Sequence, residues 1–83
     1  MAVIRGDFVH FQIRDARGTR TCRISQAALL LRERLNMEDG SAEIVLSIFI
    51  KHRREIERMA HAMASESPDE HRRIVITTAE FNE

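Results

Sequence analysis

Between Asp7 and Ser25 the chain reads DFVHFQIRDARGTRTCRIS, and this stretch leaves little choice of local structure. Val9, Phe11 and Ile13 alternate with His10, Gln12 and Arg14, the period of two that sends successive side chains to opposite faces of a strand. Asp15-Ala16-Arg17-Gly18 then supplies a turn signal. If those four residues form the loop, Arg14 stands opposite Thr19, Phe11 opposite Cys22 and Val9 opposite Ile24. The apolar positions of both strands fall on one face, so period and register agree on a β-hairpin.

Ser25 follows as a helix cap, and QAALLLRERLN predicts a helix to about Asn36 with Ala28, Leu31 and Leu35 inward and Leu29 and Leu30 widening that stripe. MEDGS interrupts the pattern, with Gly40 as stop and Ser41 as the next cap. From there to about Ser65 the sequence predicts one long helix. Val45, Phe49, His52, Ile56, Met59 and Met63 step by four and three along one face of it. Pro68 ends the helix, RRIVITT has the β-branched run of a third strand, and Thr78 is placed to cap a last turn at Ala79-Glu80-Phe81. The order β-β-α-α-β predicts an α+β fold in which an antiparallel β-hairpin plus a third strand is covered on one face by two helices, one of them long. Residues 1–83 read as a single small α+β domain.

A chain of 83 residues buries only about 60–65% of the surface its unfolded form exposes, so its core is small. No apolar run approaches the roughly 20 residues needed to cross a bilayer, and MAVIRGDFVHF lacks the apolar region of a signal peptide. The lone Cys22 cannot form an intrachain disulfide, which fits a reducing compartment. The expectation is a cytoplasmic protein with no membrane partner. Thirteen basic and thirteen acidic residues cancel, so the whole molecule exerts no net pull on nucleic acid. The halves differ: residues 1–34 hold seven arginines against three acids, whereas 35–71 hold four basic and eight acidic residues.

Chemistry finds little footing. A metal site needs several ligands converging on one point, and His52 and His61 sit on opposite sides of a helix. His10 points away from the face that carries Cys22, which defeats a Cys–His pair, and Gly6, Gly18 and Gly40 are isolated rather than gathered in a phosphate loop. These readings predict no enzyme, no cofactor and no metal. Two candidate sites stand beside plainer alternatives. His52, with Arg53 and Glu57 flanking it, is either a ligand-binding cluster or a histidine bonded to a carbonyl or carboxylate at the edge of the packed face. Arg14, Arg17, Arg23, Arg72 and Arg73 are either an anion-binding set or a solvated basic face; sheet-type readers of RNA add exposed aromatics, and here Phe11 and Phe49 belong to core stripes.

CRISQAAL followed by FIKHRREIERMA resembles a family of small bacterial proteins known as domain of unknown function 1488. The likeness runs from Phe11 through Ala60 and, more weakly, to IVIT. It rests on Phe11, Gly18, Cys22 to Ser25, Ala28, and above all Phe49, His52, Arg53, Ile56, Glu57 and Ala60. None of these is a catalytic signature. The resemblance implies a compact α+β fold and no assigned activity; Arg54 and the lack of tryptophan and tyrosine depart from it. The function expected is a non-catalytic protein–protein interaction module with an unknown protein partner, in one form a homodimer. Nucleic-acid or anionic-ligand binding through the basic hairpin face is the alternative.

Overall fold

The hairpin takes the register its apolar period requires. In a computed structural model that describes residues 2–66 and 73–82, strands β2 (Phe8–Asp15) and β3 (Gly18–Ser25) pair antiparallel. Val9 lies opposite Ile24, Phe11 opposite Cys22 and Arg14 opposite Thr19. Asp15 and Gly18 also pair, so the turn itself is Ala16-Arg17. Asp15 Oδ1 accepts the Arg17 amide at 2.8 Å, and Gly18 takes φ +118°, a conformation open mainly to glycine.

The sheet is larger than a hairpin and one strand. Val3–Arg5 forms β1, antiparallel to β2, and Ile74–Ile76 forms β4. The order is β1-β2-β3-β4, and β4 runs parallel to β3, with Cys22, Arg23 and Ile24 opposite Ile74, Val75 and Ile76. The expected antiparallel hairpin plus a third strand is therefore corrected to a mixed sheet of four strands. The reason is the helical crossover: a chain that leaves β3, crosses one face in helices and returns beside β3 arrives pointing the same way.

Ser25 caps helix α1 (Gln26–Arg32) by accepting the Ala28 amide at 3.0 Å, as its position predicts. The helix stops four residues early. Leu35 N–H bonds Leu30 O at 2.8 Å and Arg34 N–H bonds Leu31 O at 3.0 Å, the paired bonds of a Schellman ending, with Arg34 at φ +59° where glycine is usual. Its inward residues are Ala28, Leu29 and Leu30, while Leu31, expected inside, is 52% exposed.

After a 3₁₀ turn at Met37–Asp39, Ser41 caps α2 (Ala42–Lys51), and the long helix expected through Ser65 breaks at His52 before α3 (Arg53–Glu66). No glycine or proline marks the break, and the backbone ladder nearly spans it, since His52 N–H bonds Ile48 O at 3.1 Å and Ile56 N–H bonds His52 O at 3.0 Å. The last helix, α4 (Thr78–Phe81), is capped at Thr77 rather than Thr78, with Glu80 accepting the Thr77 amide. Pro68 and Arg72, singled out above as a helix stop and an anion-binding candidate, lie outside the described residues.

Helices and sheet meet in one core of Val9, Phe11, Ile13, Cys22 and Ile24 from the hairpin, Leu29 and Leu30 from α1, Val45, Ile48 and Phe49 from α2, Ile56 and Ala60 from α3, Ile74 and Ile76 from β4, and Phe81. Phe11 and Phe49 tilt against one another with ring centroids 5.3 Å apart, joining sheet to helix. Along α3 the buried line runs Ile56, Ala60 and Ala64, leaving Met59 and Met63 at its margin. Among the described residues the helices lie over one face of the sheet and none of them covers the other.

Candidate functional site

Two places gather the polar residues of interest: the break between α2 and α3, and the outward face of the sheet. At the break, His52 closes α2 and turns its ring toward α1 and α4, where it meets a carboxylate and an aromatic ring. Nε2 lies 3.1 Å from Glu33 Oε2, and the ring meets Phe81 edge-on, with centroids 6.0 Å apart. Glu33 is the residue that closes α1, and its other oxygen accepts Lys51 Nζ at 2.6 Å. Donation from Lys51, and then from His52, holds the Glu33 carboxyl below the usual carboxylate range.

The preceding residue makes the complementary connection. Arg32 grips Glu55 through two 2.8 Å hydrogen bonds, donates to Phe81 O, and sets its guanidinium 3.9 Å from the Phe81 ring centre. Arg32 Nε is 3.4 Å from Asn82 Oδ1, and Asn82 Nδ2 donates to Ala28 O at 3.1 Å. The Arg32 bond holds Glu55 low and raises Arg32 itself. Two adjacent residues of opposite charge thus tie the end of α1 to the α2–α3 break and to α4. Arg32, Glu33, Lys51 and Glu55 each meet an opposite charge within the molecule, an arrangement that fastens the helices together.

Arg53 and Glu57 pair with each other, Nε to Oε2 at 3.3 Å, on the exposed side of α3, away from His52's partner. His52, Arg53 and Glu57 line one open depression, while the His52 ring makes its hydrogen bond outside the trio, to Glu33. Arg54 and Arg58 are exposed beside them, and the depression, of about 820 Å³, has Ile50 at its edge. Arg32, Glu33, Glu55, Phe81 and Asn82 escaped sequence reading, because their meeting depends on where α1 ends and α4 begins. Cys22 is buried against the sheet, and burial pushes its thiol up to about 11, which makes it a poor nucleophile.

The second place follows from register alone. Val9, Phe11 and Ile13 face the core, so Phe8, His10, Gln12 and Arg14 face outward. Their partners Arg5, Val3, Thr19, Thr21 and Arg23, and Val75 beyond Arg23, share that face. No outward strand position is acidic. The Arg23 guanidinium lies over the Phe8 ring at 4.4 Å, and its buried Nε has no hydrogen-bond partner among the described residues, so the ring contact is what positions it. Of the anion-binding set, Arg14 and Arg23 belong to this face, Arg17 sits at the hairpin turn, and Arg73 is exposed just before β4. Phe8 is an aromatic that the core-stripe argument overlooked.

Among the described residues no helix is long and apolar enough to cross a membrane, and no three His, Cys, Asp or Glu side chains gather as a metal site. Comparison with curated proteins and with solved structures gives no match. The model of the family described as "Protein of unknown function (DUF1488)" matches residues 5–76, from the end of β1 through β4, and the chain belongs to that family.

Proposed function

We propose that this chain is a non-catalytic cytoplasmic domain that works by binding protein, with a second copy of itself as the first partner to test. One observation carries the reading: α2 is apolar nearly all the way round. Val45, Ile48 and Phe49 fill the core, yet Ile50 remains 68% exposed and Ile44 40% exposed. A helix of that composition ordinarily packs on more than one side, and Leu46 and Ile50, one turn apart, form an apolar flank that a partner helix can cover. Light scattering across a wide loading range tests this. A mass above that of the 9.6 kDa monomer is expected at high concentration, and Ile50→Arg is expected to abolish it. A parent mass that stays monomeric at every loading removes the self-association.

A second reading is favoured by the charge distribution on the sheet. Outward positions carrying Arg5, Arg14 and Arg23 with no carboxylate among them suit a polyanion, since arginine's planar fork grips phosphate or carboxylate groups. On this reading the domain binds an anionic partner through its sheet, with affinity that falls as salt rises.

A further inference from the structure

The three outward arginines are spread along the sheet as well as concentrated on one face. Arg23 stands opposite His10, and Arg14 lies four residues further along the same strand, about 13 Å away at roughly 3.3 Å per residue. Arg5 stands opposite Phe8, one strand over. The Arg23–Phe8 stack, 4.4 Å from guanidinium carbon to ring centre, therefore lies at the Arg5 end of the face, with Arg14 about 20 Å from Phe8 along β2. By contrast, the exposed side of α3 mixes Arg53, Arg54 and Arg58 with Glu57, so the acid-free character belongs to the sheet.

We propose that this outward sheet face binds single-stranded nucleic acid, with the Arg23–Phe8 stack as a platform for one base, Arg5 on the phosphate beside it and Arg14 on a phosphate further along the strand. This rests on the anion-binding reading of the sheet and narrows it. Aromatic rings and guanidinium planes both accept an unpaired base by stacking, in a sequence-tolerant way. A duplex hides its bases and gains nothing from the platform. An acidic peptide gains from the arginines but has no base to stack. The charge and the stacked pair together favour a strand over either.

The test is fluorescence anisotropy with a labelled thymidine strand of about 20 nucleotides, the matching duplex, and unlabelled polyglutamate as competitor. Two arginine–phosphate contacts, from Arg5 and Arg14, predict a log–log salt slope near −1.4 for the strand, at about 0.7 per contact. Arg14→Ala with Arg23→Ala is expected to reduce that slope to about −0.7. Phe8→Leu keeps apolar bulk and removes the ring; it is expected to weaken strand binding about fivefold or more while polyglutamate binding is unchanged. Unchanged melting temperatures show that the variants fold. If the duplex binds as tightly as the strand and Phe8→Leu has no effect, the single-strand assignment is overturned and a charge-only surface remains. If neither strand, duplex nor polyglutamate binds at low salt, the anion-binding reading falls as well.

Discussion

Replacing Phe81 with alanine probes whether the last turn of the chain is part of the cooperative structure. Phe81 is only 1% exposed, and its ring is met by the Arg32 guanidinium on one side and the edge of His52 on another. Burying a phenylalanine contributes roughly 1.5–3 kcal/mol. The partly buried cation–π contact adds about 0.5–1 kcal/mol, and the vacated volume collapses only in part, so a loss of about 3–5 kcal/mol is expected. For a chain of this length total stability is on the order of 4–12 kcal/mol. The substitution therefore removes a large fraction of it and lowers the melting temperature by about 12 °C or more. Urea unfolding followed by far-ultraviolet circular dichroism measures the loss, with the denaturant slope expected to stay constant. A loss under about 1 kcal/mol would refute the reasoning, because it would mean that α4 lifts off the core before the rest unfolds.

Other substitutions test the connections around the break and the end of α1. Glu33→Gln removes the acceptor shared by Lys51 and His52. Because the folded carboxyl titrates below its unfolded value, its contribution is present above about pH 4.3 and is lost as pH falls further. The melting-temperature gap between parent and variant should therefore be open at neutral pH and close on acidification; a gap independent of pH would contradict the assignment. Arg34→Gly relieves a left-handed backbone at φ +59° that costs an L-residue about 1–2 kcal/mol. After the added unfolded-state entropy of glycine, a net gain of about 0.5 kcal/mol is expected from chemical denaturation, and a loss would show that the Arg34 side chain contributes more than its backbone costs.

How far the fold could be read from residues depended on whether the signal was local. The pairing of Val9 with Ile24 and Phe11 with Cys22 was legible because a period of two and a turn of fixed length leave one register. Ser25 and Ser41 were legible as caps because a hydroxyl before an apolar run has a specific backbone donor to satisfy. The end of α1 was not, since arginine at a left-handed position carries no compositional mark. Nor was the break at His52, where neither glycine nor proline interrupts the pattern. Strand β1 is three residues long and shows too little alternation to register as a strand. The polar junction was the least legible feature: Glu33 meets His52, and Arg32 meets Glu55, only once α1, α2 and α3 have been placed. The outward basic face, by contrast, follows from the hairpin register, with Phe8 added because the strand begins one residue before the apolar period.

The parallel pairing of β3 with β4 also imposes a schedule on folding. Strands β1 to β3 meet their partners across short turns and can form as soon as residue 25 is available. Ile74 to Ile76 join Cys22 to Ile24 about fifty positions later in the chain, so the free edge of β3 waits until residue 76 has been made. During synthesis that edge, with Cys22 and Ile24 beside it, is open to pairing with another chain. Closure by β4 and then by Phe81 is the step that removes this hazard, and substitutions there are expected to lower the yield of soluble protein out of proportion to their effect on the finished fold.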